Sequence, residues 1–93
     1  MIKVKVLFFA LAREIVGTRE CIITLSNNDN DNNNDNNNNI TTEMLMNELC
    51  ILYPSLLKIL NQITLAINKA YIFESTILKD GDEVALIPPI SGG

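Results

Sequence analysis

At 93 residues and a formal charge of −4, the chain has room for one small hydrophobic core and none for a second domain or a deep enclosed active site. Three of its acidic groups, Asp29, Asp31 and Asp35, fall in a single polar tract, and the near-neutral remainder has no basic stripe, which argues against a nucleic-acid footprint. No apolar run approaches the roughly 20 residues of a membrane span, and the opening MIKVKVLFF has lysines in its apolar stretch and no small-residue cleavage site, unlike a signal peptide, so a soluble cytosolic protein is expected.

The first segment, Ile2 to Phe9, begins in alternation, with Ile2, Val4 and Val6 against Lys3 and Lys5. It then becomes apolar on both faces at Leu7, Phe8 and Phe9, which predicts a strand entering the middle of a sheet where neither face meets water. Ala10 to Val16 reads as a short helical piece, with Arg13 and Glu14 on its polar side and Gly17 where a left-handed C-cap residue belongs. Arg19 to Leu25 is β-branched and partly alternating, a second strand. The run from Asn27 to Asn39, NNDNDNNNDNNNN, contains no apolar residue. It cannot bury enough surface to offset its ordering entropy, so it is expected to be a mobile loop insertion. Such an insertion is tolerated because each doubling of loop length costs only about 0.6 kcal/mol.

Thr41 or Thr42 can cap the helix that follows, with Glu43 near its positive end. Leu45, Leu49 and Leu52 fall at i, i+4 and i+7 as one apolar stripe, widened by Met44. Pro54 stops this helix after Tyr53 and opens a second short turn with Leu56, Leu57 and Leu60 apolar. Thr64 to Ile67 predicts a strand, Asn68-Lys69 a turn and Ala70 to Phe73 a short returning strand. Lys79-Asp80-Gly81-Asp82 is a turn signature leading into Glu83 to Ile87, again apolar on both faces. A first and a last strand that both belong in the sheet's centre are expected to be neighbours. The element order then predicts an α+β fold with one main helix packed on one face of a mixed sheet. The β-grasp, or ubiquitin-like, fold has this layout, with its first and last strands parallel in the middle, here as one domain over residues 1–93.

The chain has two cysteines and no histidine. Cys21 falls in a strand pattern and Cys50 in a helix pattern, with no CxxC and no ligand cluster, so both are expected to be small buried apolar residues and no metal site is expected. Without histidine, and with no evident carboxylate pair, a self-sufficient enzyme is not expected. The chemistry is at the end of the chain, IPPISGG. Pro88 and Pro89 end the last strand, because proline cannot donate to a ladder, and hold the chain extended. The six residues from Pro88 to Gly93 reach roughly 20 Å at about 3.3 Å each. Gly92 and Gly93 carry no Cβ and can enter a channel too narrow for other residues. The α-carboxylate of Gly93 is a poor electrophile until it is adenylated by ATP. A terminal Gly-Gly can also arise by chance on a flexible chain end. Joined to a layout whose last central strand feeds the tail, however, these features point to a carrier, a folded handle bearing a threadable and activatable carboxylate.

The runs KVLFFALAREIVGT, LAINKAYI and above all LKDGDEVALIPPISGG resemble the small subunits of molybdopterin synthase. The similarity covers nearly the whole chain outside the Asn tract, which has no counterpart in the family pattern, and in the middle helix it extends only to the apolar pattern. The resemblance implies a sulfur carrier for molybdenum-cofactor synthesis, a non-catalytic subunit whose catalytic groups lie on a large subunit. It implies that an E1-like activating enzyme adenylates Gly93 with ATP and magnesium, and that a sulfur donor converts the acyl adenylate to a thiocarboxylate. The tail then enters the large subunit and passes sulfur to cyclic pyranopterin monophosphate, two transfers building the molybdopterin dithiolene. A heterotetramer of two large and two small subunits is implied, with nucleotide and magnesium used by the activating enzyme rather than held by this chain. Gly92, Ser91, Ile90, Pro89 and Pro88 would form the inserted tail, and Phe9, Tyr71 and Ile87 an apolar docking patch. Other readings stay open: a carrier of the same fold for thiamine synthesis or tRNA thiolation, a ubiquitin-like protein modifier, or a pure binding module.

Overall fold

The computed structural model describes residues 1–26 and 39–89. Most of the expected Asn/Asp insertion (27–38) and the tail residues Ile90, Ser91, Gly92 and Gly93 lie outside the described residues. The elements in chain order are strand β1 (Ile2–Phe8), helix α1 (Ala10–Val16), strand β2 (Glu20–Leu25) and helix α2 (Thr42–Leu52). Two 3₁₀ turns, Pro54–Lys58 and Leu60–Gln62, lead to strands β3 (Thr64–Ile67), β4 (Ala70–Ile72) and β5 (Glu83–Ile87).

β1 ends one residue before its expected boundary. Phe9 keeps extended dihedrals (φ −116°, ψ 152°) as the N-cap of α1, and its N–H donates to the Leu86 carbonyl at 3.3 Å. Gly17 closes α1 in the left-handed region at φ 89°, where a Cβ would be strained. The chain then returns antiparallel along β1, with Ile2 opposite Leu25 and Val6 opposite Cys21. β2 starts at Glu20 and β4 stops at Ile72, each one residue shorter than its apolar run suggested.

Thr41 is the N-cap of α2, its Oγ1 accepting the Met44 N–H at 3.4 Å. Thr42 is buried instead, and its hydroxyl oxygen accepts the Thr76 N–H at 3.1 Å. Leu45 and Leu49 are fully buried, but Leu52, expected in the same stripe, is 49% exposed. The helix ends at Leu52, the chain turns at Tyr53 and Pro54, and the fully buried Leu56 of the first 3₁₀ turn fills the core position instead. Tyr53 meets Phe8 edge to face, with ring centroids 5.9 Å apart.

The five strands form one sheet in the order β2-β1-β5-β3-β4. β1 and β5 are parallel at its centre, from Lys5 opposite Glu83 to Phe8 opposite Leu86, and the other neighbours are antiparallel. Val4, Val6, Phe8, Val84 and Leu86 cluster with Leu45 and Leu49 of α2 as a single core. This is the β-grasp architecture, an α+β fold with one main helix on one sheet face.

Two turns hold the start of β5. Asn68 and Lys69 both have positive φ, 50° and 76°, as a two-residue hairpin loop needs in order to match strand twist. The Asn68 side chain donates to Asp82 Oδ1 at 3.0 Å and accepts the Glu83 N–H at 3.0 Å. Asp82 Oδ2 accepts the Lys79 N–H and Asp80 Oδ1 accepts the Lys3 N–H, both at 2.8 Å. The recognisable run KDGDEV is thus a polar clasp joining β1, β5 and the β3–β4 turn. The sequence pattern did not assign the segment before it. There Ile77 bridges Thr41, and the Leu78 N–H donates to the Ile40 carbonyl at 2.7 Å, tying the approach to α2 to the approach to β5.

Candidate functional site

β1 and β5 were expected to be covered on both faces because both read as apolar throughout. They do lie in the centre, but only one face is packed. Leu7, Ala85 and Ile87 point away from α2 and are half-buried, and with their neighbours they line an open depression of about 290 Å³. Strand register explains its shape. Leu7 pairs with Ala85, Ala85 with Ala66, and Ala66 with Tyr71, so one row crosses four strands on the outer face. The two methyl side chains in the middle form a low floor. Leu7, Phe9, Tyr71 and Ile87 are larger and form its walls, and Lys69 and Glu83 complete the lining.

The structure therefore brings Phe9, Tyr71 and Ile87 together around one depression, although they are far apart in sequence. Phe9 is 44% and Tyr71 62% exposed, unusual for aromatic side chains in a protein with only five. Ile87 is the last residue of β5, followed by the buried Pro88 and the exposed Pro89. The segment leading to Gly93 thus starts at the depression's wall. Sequence reasoning did not single out Leu7, Ala66, Ala85, Lys69 or Glu83. The available signal was alanine in the middle of two short strands, TLAI and EVALI, where a poor strand former is unexpected unless small size is needed.

A larger groove of about 570 Å³ lies between α2 and β4, lined by Met46, Leu60, Ile63 and Phe73 with Glu43 and Glu74 among others. It contains none of the candidate site residues read from the sequence. The only ion pair among the described residues joins Lys5 Nζ to Glu20 Oε1 at 3.7 Å, between exposed side chains. Cys21 and Cys50 are free thiols and half-buried, rather than buried as expected. Burial pushes both thiols up from the ordinary range, which keeps them protonated at neutral pH. No helix among the described residues is long and apolar enough to cross a membrane.

Comparison with known proteins places these features in a family. Residues 6–93 match the ThiS family. The chain is 35% identical over 92 residues to the molybdopterin synthase sulfur carrier subunit of Arabidopsis thaliana, covering 99% of this chain and 84% of the relative. Among solved structures, it is similar to the small archaeal modifier protein 1 of Methanosarcina acetivorans (TM-score 0.75, 27% identity), covering 100% of this chain and 98% of the other. It is also similar to a chain in the complex of subunits 1 and 2 of molybdopterin-converting factor from Helicobacter pylori (TM-score 0.64, 25% identity), with 99% and 100% covered. The chain belongs to the ThiS family.

Proposed function

We propose that this member of the ThiS family is the sulfur carrier subunit of a molybdopterin synthase, with Gly93 bearing the sulfur. One observation carries the reading: the central strand β5 runs from the wall of an open apolar depression straight into a Pro-Pro-Ile-Ser-Gly-Gly tail. A strand in the middle of the sheet is a rigid anchor, the prolines hold the exit extended, and the glycines thin the tip to backbone width. The name carried by the Arabidopsis relative supports the same reading.

In this reading, an E1-like enzyme activates the tail with ATP and magnesium. A carboxylate oxygen of Gly93 attacks the α-phosphorus and pyrophosphate leaves. A sulfur donor then displaces AMP and leaves a thiocarboxylate. The tail, from Pro88 and Pro89 through Ile90, Ser91 and Gly92, enters the large synthase subunit, and Phe9, Tyr71 and Ile87 dock against that subunit. Sulfur passes to cyclic pyranopterin monophosphate as water cleaves the Gly93 acyl–sulfur bond and supplies the oxygen that regenerates the carboxylate, and two such transfers complete the dithiolene. In this reading the acid–base groups belong to the large subunit: the chain has no histidine, and among the described residues the ionisable side chains lining the depression are Lys69, Tyr71 and Glu83. It works in the cytosol, in a heterotetramer of two large and two small subunits, and leaves nucleotide and magnesium to the activating enzyme.

The likeness to a small archaeal modifier protein favours a second reading, in which the same Gly93 carboxylate is joined to lysines of target proteins. Intact mass after co-expression with the activating enzyme and a sulfur source reads Gly93 directly. The carrier predicts a mass gain of one oxygen-to-sulfur exchange, lost on deletion of Gly93, and conversion of the pyranopterin substrate on addition of the large subunit. Covalent ladders on denaturing gels would support the modifier instead. Thiolation of tRNA without molybdopterin formation would reassign the acceptor.

A further inference from the structure

The docking depression is apolar at the end where the tail leaves and charged at the other. Its far lining is Lys69 and Glu83, and the two are differently placed. Glu83 is half-buried on the central strand β5, in register with Lys5, whose ammonium is drawn to Glu20. Lys69 sits at the tip of the β3–β4 turn and forms no ion pair among the described residues. The turn that carries it is fixed, because Asn68 beside it is held through both side-chain amide atoms to Asp82 and Glu83, and Lys69 itself stands exposed. A cation held on the wall of an apolar depression is a recognition element in want of an anion: as the depression is covered, water leaves and the attraction to a partner carboxylate strengthens.

Resting on the carrier reading above, we infer that the protein receiving the tail seats an apolar side chain on the Ala66–Ala85 floor and sets a carboxylate against Lys69. The occupant follows from reach. Six residues separate Ile87 from the end of Gly93, at most roughly 20 Å of extended chain. Any protein that takes Gly93 into its interior therefore brings its surface up to the wall from which the tail leaves, and the depression is the concave part of that surface. The floor accepts a side chain because Ala66 and Ala85 face each other in register. Lys69 then fixes which way round the partner sits, a choice that apolar contact leaves open.

The test is the affinity of the full-length chain for its large synthase subunit, measured at low and high salt. The variants are Lys69→Asp, Lys69→Asn and Ala85→Leu. Asp and Asn suit the positive φ of Lys69 better than lysine does, so fold is retained, and urea unfolding of each variant verifies it. Lys69→Asp is expected to weaken binding about tenfold or more, as reversal of a rim charge against a fixed carboxylate does. Lys69→Asn is expected to weaken it less and to flatten the salt dependence seen for the wild type. Ala85→Leu fills the floor and is expected to weaken binding at both salt concentrations. Wild-type affinity in Lys69→Asp, or in a folded Ala85→Leu, overturns the inference while leaving the carrier reading intact. A wild-type chain that fails to bind the large subunit at all overturns both.

Discussion

Along β1 and β5, successive side chains turn alternately toward α2 and away from it. Val4, Val6, Val84 and Leu86 on the inner side have no exposed surface, and Phe8 retains 2%. Leu7, Ala85 and Ile87 on the outer side are equally apolar, yet part of each meets solvent. Beyond the charged Lys3, Lys5 and Glu83 at the start of the outer side, the two faces are made of the same kinds of residue and differ in what covers them: the inner by this chain's own helix, the outer by nothing among the described residues. Apolarity on both faces of a strand thus reports that both are to be covered, and is silent about whether one chain or two does the covering. In this molecule the open face is also the one whose wall leads into the tail.

The largest difference between the faces is expected in stability. Leu86→Ala removes a fully buried side chain from the centre of the core and should cost about 2–5 kcal/mol. Ile87→Ala, one residue along and on the open face, should cost clearly less, since its side chain is only partly buried in the free protein. Urea unfolding of the two variants measures both. Equal losses would mean that the outer face is structural core after all.

In binding the order should invert. Tyr71→Ala and Phe9→Ala should each weaken association with the large subunit by about 1–2 kcal/mol, as truncating an aromatic anchor does. Their unfolding free energies should change by no more than about 0.5 kcal/mol, the usual range for exposed positions. Titration of the variants against the large subunit, beside their denaturation curves, separates the two effects. Leu86→Ala, if still folded under the assay conditions, should bind nearly as well as the wild type.

The β-grasp layout was legible because its signals are local and periodic: alternation in β1, the Gly17 cap, the Leu45–Leu49 pair, the Asn68-Lys69 turn and the KDGDEV run. Where reading failed, the answer depended on tertiary placement. Leu52 fits the helical stripe as well as Leu49 does, and only the turn at Tyr53 and Pro54 decides that Leu56 takes the core position. The site was legible in part. Phe9, Tyr71 and Ile87 came from family resemblance, whereas the alanine floor exists only through cross-strand register, which pairs Ala66 with Ala85 across a 19-residue separation in sequence. Lys69 was read as a turn residue. That it also lines the depression follows from the placement of the turn beside β5.

Resemblance to a family does not by itself say which residues act and which hold. KDGDEV is as recognisable as the tail, yet its two aspartates spend their hydrogen bonds inside the fold. Asp82→Ala removes acceptors from the Lys79 N–H and the Asn68 amide and should cost about 1–2 kcal/mol of stability, a typical loss for hydrogen bonds to a charged group. Sulfur transfer at saturating large subunit should be unchanged well below the melting temperature. A transfer defect without loss of stability would move this clasp from the structural to the functional side.

The smallest effect is expected at the two thiols. Cys21 lies on β2 opposite Val6, facing the covered side, and Cys50 lies on α2. A protein that handles sulfur invites the idea that one of them relays it, but a relay needs a thiolate, and burial raises both thiols above their ordinary range. A raised value means that less thiolate is present at every pH than for a free cysteine, so alkylation at pH 7 should be slow and should accelerate only as pH rises past the ordinary thiol range. Cys50→Ala should leave the rate of sulfur transfer unchanged and alter stability by no more than about 0.5 kcal/mol, because its side chain is only partly buried. Fast alkylation at pH 7 in the native state, or a transfer rate that falls in a folded Cys50→Ala variant, would place sulfur chemistry on the helical side of the sheet. Functional groups would then no longer be confined to the open face and the tail that leaves it.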